Sequence, residues 1–192
     1  MKKSIQNNLY YLTNINELDG EAIDFMFQQM PTSRQENANK CFYEADRKIK
    51  IAEYFIIQHK LGLSKGQEFS YGKNGKPYVR NKQHFNISHS ETALAVVFSD
   101  ENVGVDIQKK IDLDLNLLER VANKIEYQKV IRASDPQLEF TKLWTQKESL
   151  IKFKGITIAT NLKTLLKNKK LYTFKHIVDG DFVICVCSKK HI

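Results

Sequence analysis

Val103-Gly104-Val105-Asp106-Ile107-Gln108, and further on Trp144-Thr145-Gln146-Lys147-Glu148-Ser149-Leu150-Ile151-Lys152, carry most of what this chain discloses. The first stretch reads as an apolar strand that ends by presenting one carboxylate, Asp106, with Gln108 on the same face by strand alternation. The second reads as a helix in which Glu148 and Lys152, four residues apart, project from one side. Lys147 points about 100° away from Glu148 and is expected at substrate or surface contacts. A carboxylate on a strand end, another on a helix and a lysine one turn on could hold Mg²⁺ against a phosphate. Mg²⁺ takes one or two protein carboxylates and leaves its other positions to water and phosphate oxygens. The pair therefore suggests phosphoryl-type chemistry. Each residue also has a plainer reading: Asp106 as a cap on the following turn, Glu148 as the salt-bridge partner of Lys152 on a solvated helix face.

The elements around these stretches have local signals. Asp135 precedes Pro136 at a plausible first helical position, and Gly155 offers a stop after Lys154. Leu115–Ala122 and Glu126–Ala133 read as short helices. Thr92–Ser99 and Val103–Gln108, joined by Asp100-Glu101-Asn102, give a hairpin signal. Leu171–Val178, the turn Asp179-Gly180 and Asp181–Ser188 give a second. Upstream, Leu9–Thr13 reads as a strand and Glu17–Gln29 as a helix. Ser33 and Glu36 form a capping-box pattern opening a long helix that Gly62 closes. Phe42, Ala45, Ile49, Ala52, Ile56 and His59 form its core face, with His59 at the rim. Phe69–Tyr71 reads as a short strand, and Gly72-Lys73-Asn74-Gly75-Lys76-Pro77 as a polar turn. Helices mixed with antiparallel hairpins predict an α+β fold. No linker divides the chain, which is taken as an N-terminal half, 1–100, and a C-terminal half, 101–192, carrying the metal motifs.

Composition narrows the partners. The 192 residues hold 30 Lys and Arg against 22 Asp and Glu, a net charge of +8. That charge suits nucleic acid, an anionic cofactor or an acidic protein. The basic residues are spread along the chain without a recognisable nucleic-acid module, and solvating surface lysine is the plain alternative. A charged fraction of 27% beside 42% hydrophobic residues describes a soluble globular protein. No apolar run approaches the length of a membrane helix, and Met1–Asn8 lacks the apolar segment of a signal peptide, so a cytoplasmic location is expected. Three cysteines argue against a disulfide framework. Cys185 and Cys187, two apart in a strand, read as small buried apolar side chains, and Cys41 on a helix face reads the same way.

Four motifs stand in order: Gly75-Lys76-Pro77, Phe85-Asn86-Ile87-Ser88-His89-Ser90, Gly104-Val105-Asp106 and Trp144-Thr145-Gln146-Lys147-Glu148-Ser149. Together they resemble the signature of the 4′-phosphopantetheinyl transferases of the Sfp type, over roughly residues 75–152. The resemblance implies two similar α+β halves in a pseudo-twofold arrangement, with the active site at their junction. It implies Mg²⁺-dependent transfer of phosphopantetheine from coenzyme A to a serine of an acyl- or peptidyl-carrier protein. The serine hydroxyl would lose its proton, attack the β-phosphorus and expel adenosine 3′,5′-bisphosphate.

Carried onto this chain, the resemblance implies Asp106 and Glu148 as metal ligands and Lys152 at the reacting phosphate. Glu126, followed by Tyr127, matches the proposed general base, or is a helix-start glutamate. Ser88 and His89 match contacts to coenzyme A phosphates, and Gly75, Lys76 and Pro77 the segment against the adenine. Arg47 matches the grip on the 3′-phosphate, with Lys48 and Lys50 competing for that register and Lys40 a looser match to a further lysine. Gln108 departs from the pattern, since many members have a glutamate there. Its amide oxygen can ligate Mg²⁺ without adding charge, or a water takes the place. The expected partners are an acidic carrier protein and coenzyme A, with no nucleic acid and no membrane. Two other classes compete: a non-catalytic coenzyme A or carrier-binding module, motivated by Gln108, and a basic nucleic-acid-binding protein, motivated by charge.

Overall fold

The computed structural model of the chain describes residues 2–4, 8–72, 74–157 and 161–190. Lys73 of the polar turn, and Met1 and residues 5–7 of the N-terminal stretch, lie outside the described residues. In chain order the elements are β1 (Lys2–Ser4), β2 (Leu9–Leu12), α1 (Gly20–Phe27), α2 (Thr32–Asn39), α3 (Glu44–Leu61), β3 (Ser70–Tyr71), β4 (Pro77–Tyr78), β5 (His84–Ser90), β6 (Ala93–Ser99) and β7 (Val103–Lys109). Then follow α4 (Leu115–Val121), α5 (Lys124–Ile131), α6 (Pro136–Lys154), α7 (Leu162–Leu165), β8 (Tyr172–Asp179) and β9 (Phe182–Lys189).

Helix ends follow local chemistry where the chain supplies it. Asp135 accepts from the Leu138 amide at 3.0 Å with Pro136 in the first turn, and Gly155 closes α6 in the left-handed region at φ 61°. The long helix expected from Ser33 is instead two. α2 is polar, with Ala38 its buried residue, so it has no apolar stripe to continue into α3. Ser33 does not cap a helix; its hydroxyl bonds Glu68. Cys41 falls between the helices rather than on a helix face, and Phe42 is 90% exposed instead of lining the core. His59 is exposed at the rim, stacked on Phe55.

The strands form an antiparallel four-stranded sheet, β1-β2-β6-β5, a three-stranded sheet, β7-β9-β8, and a β3-β4 ribbon. The expected pairing of Thr92–Ser99 with Val103–Gln108 does not occur: β6 pairs with β2 and β5, and β7 with β9. The reason lies in β6, which is apolar on both faces. Leu94, Val96 and Phe98 enter one core and Ala93, Ala95 and Val97 another, so β6 is a central strand with both edges taken. The downstream hairpin forms as expected, turning at Gly180 with φ 58°. Helices and antiparallel sheets together make an α+β fold.

The two larger sheets share an apolar layer. Leu9, Ala93, Ala95 and Val97 from the first meet Val103, Val105, Ile107, Ile184 and Val186 from the second. On its other face β7 turns Gly104, Asp106 and, by alternation, Gln108 away from this layer. β5 and β7 belong to different sheets yet run side by side in the same direction. Asn86 Oδ1 accepts from the Val105 amide at 2.8 Å, Ser88 Oγ from Ile107 at 3.2 Å, and Ser90 Oγ from Lys109 at 3.5 Å. Side-chain oxygens on alternate β5 residues thus satisfy the amides of β7 that do not face β9.

Gly104 sets how closely β7 meets α6. A Cβ there would sit 2.1 Å from the Ser149 carbonyl oxygen and 2.5 Å from the Phe153 amide nitrogen, both backbone. Neither can move aside without shifting a helix or a strand. Gly104→Ala is therefore expected to lower stability by about 1–3 kcal/mol, the scale of overpacking a core, measured as a reduced urea midpoint. An unchanged midpoint would show that strand and helix can part freely.

Candidate active site

The close approach at Gly104 brings Asp106 against α6. Asp106 Oδ1 accepts from Ser88 Oγ at 2.9 Å and from Lys152 Nζ at 2.7 Å, and Lys152 Nζ also donates to Ser88 Oγ at 2.7 Å. Three residues from β5, β7 and α6 therefore close one bonded triangle. Asp106 Oδ2 and Glu148 Oε1 are buried without a hydrogen-bond partner. Burial first, and then the Asp106 charge, push the Glu148 pKa upward, against the pull of Lys152. Two carboxylates that repel each other, each with an orphaned oxygen, are suited to a cation between them. Among the described residues no group of three or more His, Cys, Asp or Glu gathers. This centre has two carboxylates, with the uncharged Gln108 following on the same strand face. Ser88, expected at a phosphate, is 4% exposed and spends its hydroxyl on Asp106, Lys152 and β7.

Beside this centre lies a cleft of about 500 Å³ whose lining includes Arg34, Lys40, Lys50, Glu53 and His89. His89 links the two regions. Its pKa is lowered, first by desolvation and then by Lys152, with Lys50 adding to the effect and Asp46 and Asp106 opposing it. The histidine is thus within electrostatic reach of the cleft cation Lys50 and of the carboxylate centre. Arg47 is held at the side by Glu44 at 3.4 Å and Asn39 at 3.4 Å, its guanidinium 5.2 Å from the Phe27 ring centroid. Lys48 donates to the Leu18 carbonyl at 3.2 Å. Of the three basic residues competing on α3, Lys50 lines the cleft. Arg34 and Glu53 were not singled out from sequence; Glu53 follows Lys50 by three residues, a spacing that on any exposed helix reads as an ordinary surface pair.

Other expected site residues have structural bonds. Glu126 completes a capping box with Asn123, and its Oε2 accepts from the Asn123 amide at 2.9 Å and from Lys147 Nζ at 2.8 Å. Lys147 is no surface residue: it is 1% exposed, and also donates to the Leu162 carbonyl at 2.7 Å. α6 thus carries a buried structural lysine beside the glutamate of the candidate centre. Gly75 takes φ 77° in the β3-β4 turn, which favours glycine, and Pro77 opens β4. Lys76 sends its ammonium inward, to Asn102 Oδ1 at 2.6 Å, the Val103 carbonyl at 2.8 Å and the Lys152 carbonyl at 3.3 Å. Burial lowers its pKa to about 8. Asn74 and Asn102 reach the Gly155 and Phe153 carbonyls, so the ribbon turn and the start of β7 are pinned to the C-terminal end of α6.

An α+β protein with a two-carboxylate centre beside a cation-lined cleft has the parts of a phosphoryl-handling transferase. Residues 102–188 match the family model of the 4′-phosphopantetheinyl transferase superfamily. The chain is 29% identical over 164 residues to 4′-phosphopantetheinyl transferase gsp of Aneurinibacillus migulanus, covering 80% of this chain and 69% of that protein. It is 34% identical over 105 residues to 4′-phosphopantetheinyl transferase Sfp of Bacillus subtilis, covering 52% and 47%. It is 32% identical over 111 residues to L-aminoadipate-semialdehyde dehydrogenase-phosphopantetheinyl transferase of Saccharomyces cerevisiae, covering 51% and 41%. The chain is thus similar to the 4′-phosphopantetheinyl transferases, through the family model over residues 102–188 and through these relatives. The matches to the Bacillus subtilis and yeast proteins span about half of each or less.

The raised Glu148 pKa has a signed consequence for stability. A carboxyl whose folded pKa exceeds its unfolded value carries no penalty below the unfolded value, near 4.3. The penalty grows as pH rises and is complete above the folded pKa. Without divalent cation, Glu148→Gln should melt higher than the wild type at pH 8, with the gap closing toward pH 4. A gap that is absent at pH 8, or reversed, in paired thermal melts would contradict a penalty on ionised Glu148 from its burial and from Asp106.

Proposed function

We propose that this chain transfers the 4′-phosphopantetheine group from coenzyme A to a serine of an apo acyl- or peptidyl-carrier protein, with Mg²⁺ held by Asp106 and Glu148. The observation that carries the reading is the continuity through His89, which lines the cleft and directly follows Ser88 of the centre on β5. Coenzyme A is an elongated ligand with a 3′-phosphate toward one end and a pyrophosphate further along. Cations in the cleft fit the first, and the carboxylate centre with Lys152 fits the second. The names of the relatives agree with a phosphopantetheine donor.

Bound between the carboxylates, Mg²⁺ would supply positive charge to the pyrophosphate oxygens. Lys152, oriented by Asp106 and Ser88, would offset charge building on the leaving oxygen. The carrier serine Oγ bonds to the β-phosphorus, and the bond from that phosphorus to the bridging oxygen breaks. Adenosine 3′,5′-bisphosphate leaves with the electron pair, and the serine proton passes to a carboxylate. The raised pKa of Glu148 belongs to the cation-free site; with Glu148 on the ion, the proton would fall to Glu126. Glu126 retains the expected role of base only through Oε1, since Oε2 is held by Lys147 and Asn123. Gly75 and Pro77, with the backbone of Lys76, would lie against the adenine, and Gln108 would complete the metal set through its amide oxygen or a water. Arg47 would reach the 3′-phosphate only by leaving Glu44, whereas Lys50 faces the cleft already. A net charge of +8 would steer an acidic carrier, and the work would be cytoplasmic.

Incubation with coenzyme A, Mg²⁺ and a panel of apo carriers, followed by intact-mass analysis, should show addition of phosphopantetheine. Coenzyme A binding without mass gain would leave a binding module. Neither result, together with salt-sensitive DNA binding, would turn the reading to nucleic acid. Asp106→Ala should lower turnover about a hundredfold or more, the scale of losing a principal charge stabiliser. Near-normal turnover of folded Asp106→Ala at low Mg²⁺ would end the metal assignment. Gln108→Glu should reduce the Mg²⁺ concentration needed for half-maximal rate; an unchanged requirement would place Gln108 away from the ion.

A further inference from the structure

The cation-lined cleft contains one carboxyl that the transfer reaction leaves without a task. Glu53, partly buried on α3, lines the same space as Arg34, Lys50 and His89. The second carboxyl there, Glu68, is already engaged, by Ser33 and by Arg34 Nε at 3.3 Å. Arg34 also gives its Nη2 to Tyr71, and Lys50 gives its ammonium to the Asn37 carbonyl at 3.4 Å. Among the described residues, both cations act on Glu53 through charge alone, with no hydrogen bond to it. An anion drawn in by the cleft's cations shares its space with this carboxyl, and like charges held close cannot both ionise freely.

We propose that Glu53 makes anion binding in this cleft proton-linked, so that a phosphate-bearing ligand is taken up together with a proton on the Glu53 carboxyl. The proposal rests on the reading of the cleft as the coenzyme A phosphate site. Burial lifts the Glu53 pKa to about 7, with Arg34 and Lys50 pulling the other way. The group is thus poised where a nearby phosphate changes its state. The sign follows from the raised value: below it the carboxyl is neutral and tolerates the phosphate, and above it ionised Glu53 repels the ligand. A bound phosphate raises the pKa further, so binding takes up protons between about pH 7 and that higher value, and affinity falls as pH rises through this range.

The other titratable and charged groups lining the cleft are Lys40 after α2, Lys50 on α3, Glu68 and Tyr71 at the ribbon, and His89 on β5, besides Arg34 on α2, and the charge of Asp46 acts on His89. His89 has a lowered pKa and gains its proton only under acid. The ligand's own phosphate loses its second proton near pH 6, which acts in the opposite direction. Wild type and Glu53→Gln share all of these, so the ratio of their dissociation constants isolates Glu53.

Isothermal titration with coenzyme A from pH 6 to 8.5, in buffers of differing ionisation enthalpy, tests the proposal. The wild type should take up protons on binding near pH 7.5, and Glu53→Gln should not. The ratio of wild-type to variant dissociation constants should rise from near one at pH 6 to about tenfold at pH 8.5, one pKa unit's worth. A flat ratio, or no proton uptake by the wild type, overturns the proposal, and the second measurement stands even if the variant fails to fold. Lys50→Ala separates the two readings. If it weakens coenzyme A binding at every pH while the Glu53 ratio stays flat, only the proton linkage fails. If wild type does not bind coenzyme A, or Lys50→Ala leaves binding unchanged, the cleft reading fails, and the linkage with it.

Discussion

Ser88 Oγ accepts hydrogen bonds from the Ile107 amide and from Lys152 Nζ while donating its proton to Asp106. One hydroxyl thereby joins β5, β7 and α6 at the point where the two larger sheets come together. Each bond to a charged group contributes about 1.5–3 kcal/mol, and leaving the β7 amide unpartnered would cost about 1–3 kcal/mol. The larger effect is geometric. β7 must lie close enough to β5 for short side chains to reach its amides, and close enough to α6 that only a glycine fits at 104. Those two constraints leave the Asp106 carboxyl little freedom, and Lys152 is held against it.

Helix α6 divides its charges by face. Glu148 and Lys152 look toward the centre, where two orphaned carboxylate oxygens lower stability in the absence of a cation. Lys147, one residue from Glu148, is buried against Glu126 and the Leu162 carbonyl, tying α6 to α5 and α7. Removing one partner from such a buried pair typically costs about 3–5 kcal/mol. The helix is therefore braced on one side so that strain can be kept on the other. At its C-terminal end, Lys76, Asn74 and Asn102 occupy carbonyls that a helix leaves unsatisfied. The β3-β4 ribbon is thus anchored to the same helix as the carboxylate centre.

Glu53 and Glu148 show one principle at two places. Both are carboxyls that burial makes harder to ionise, and both border space suited to a charged ligand. Glu148 faces another carboxylate and calls for a cation. Glu53 faces cations already engaged elsewhere, so an arriving anion and a proton can enter together.

Where a signal was local, the amino-acid sequence was sufficient. Asp135-Pro136 and Gly155 bound α6 because capping and the left-handed stop act within one helical turn, and Asp179-Gly180 makes its hairpin for the same reason. Glu148 and Lys152 share a face because helix geometry requires it, and Asp106 presents from a strand because its neighbours alternate. Tertiary structure decided what meets those faces. The apparent hairpin of β6 with β7 gave way because β6, apolar on both sides, had both edges claimed by distant strands. Phe42 left the core because polar α2 offered nothing to extend α3. Spacing could place Lys147 away from Glu148 but could not supply Glu126 opposite it, nor turn Lys50 rather than Arg47 into the cleft. Helical and strand periodicity depend on the backbone alone, whereas burial and bonding depend on which segment packs alongside, and that segment lies elsewhere in the chain.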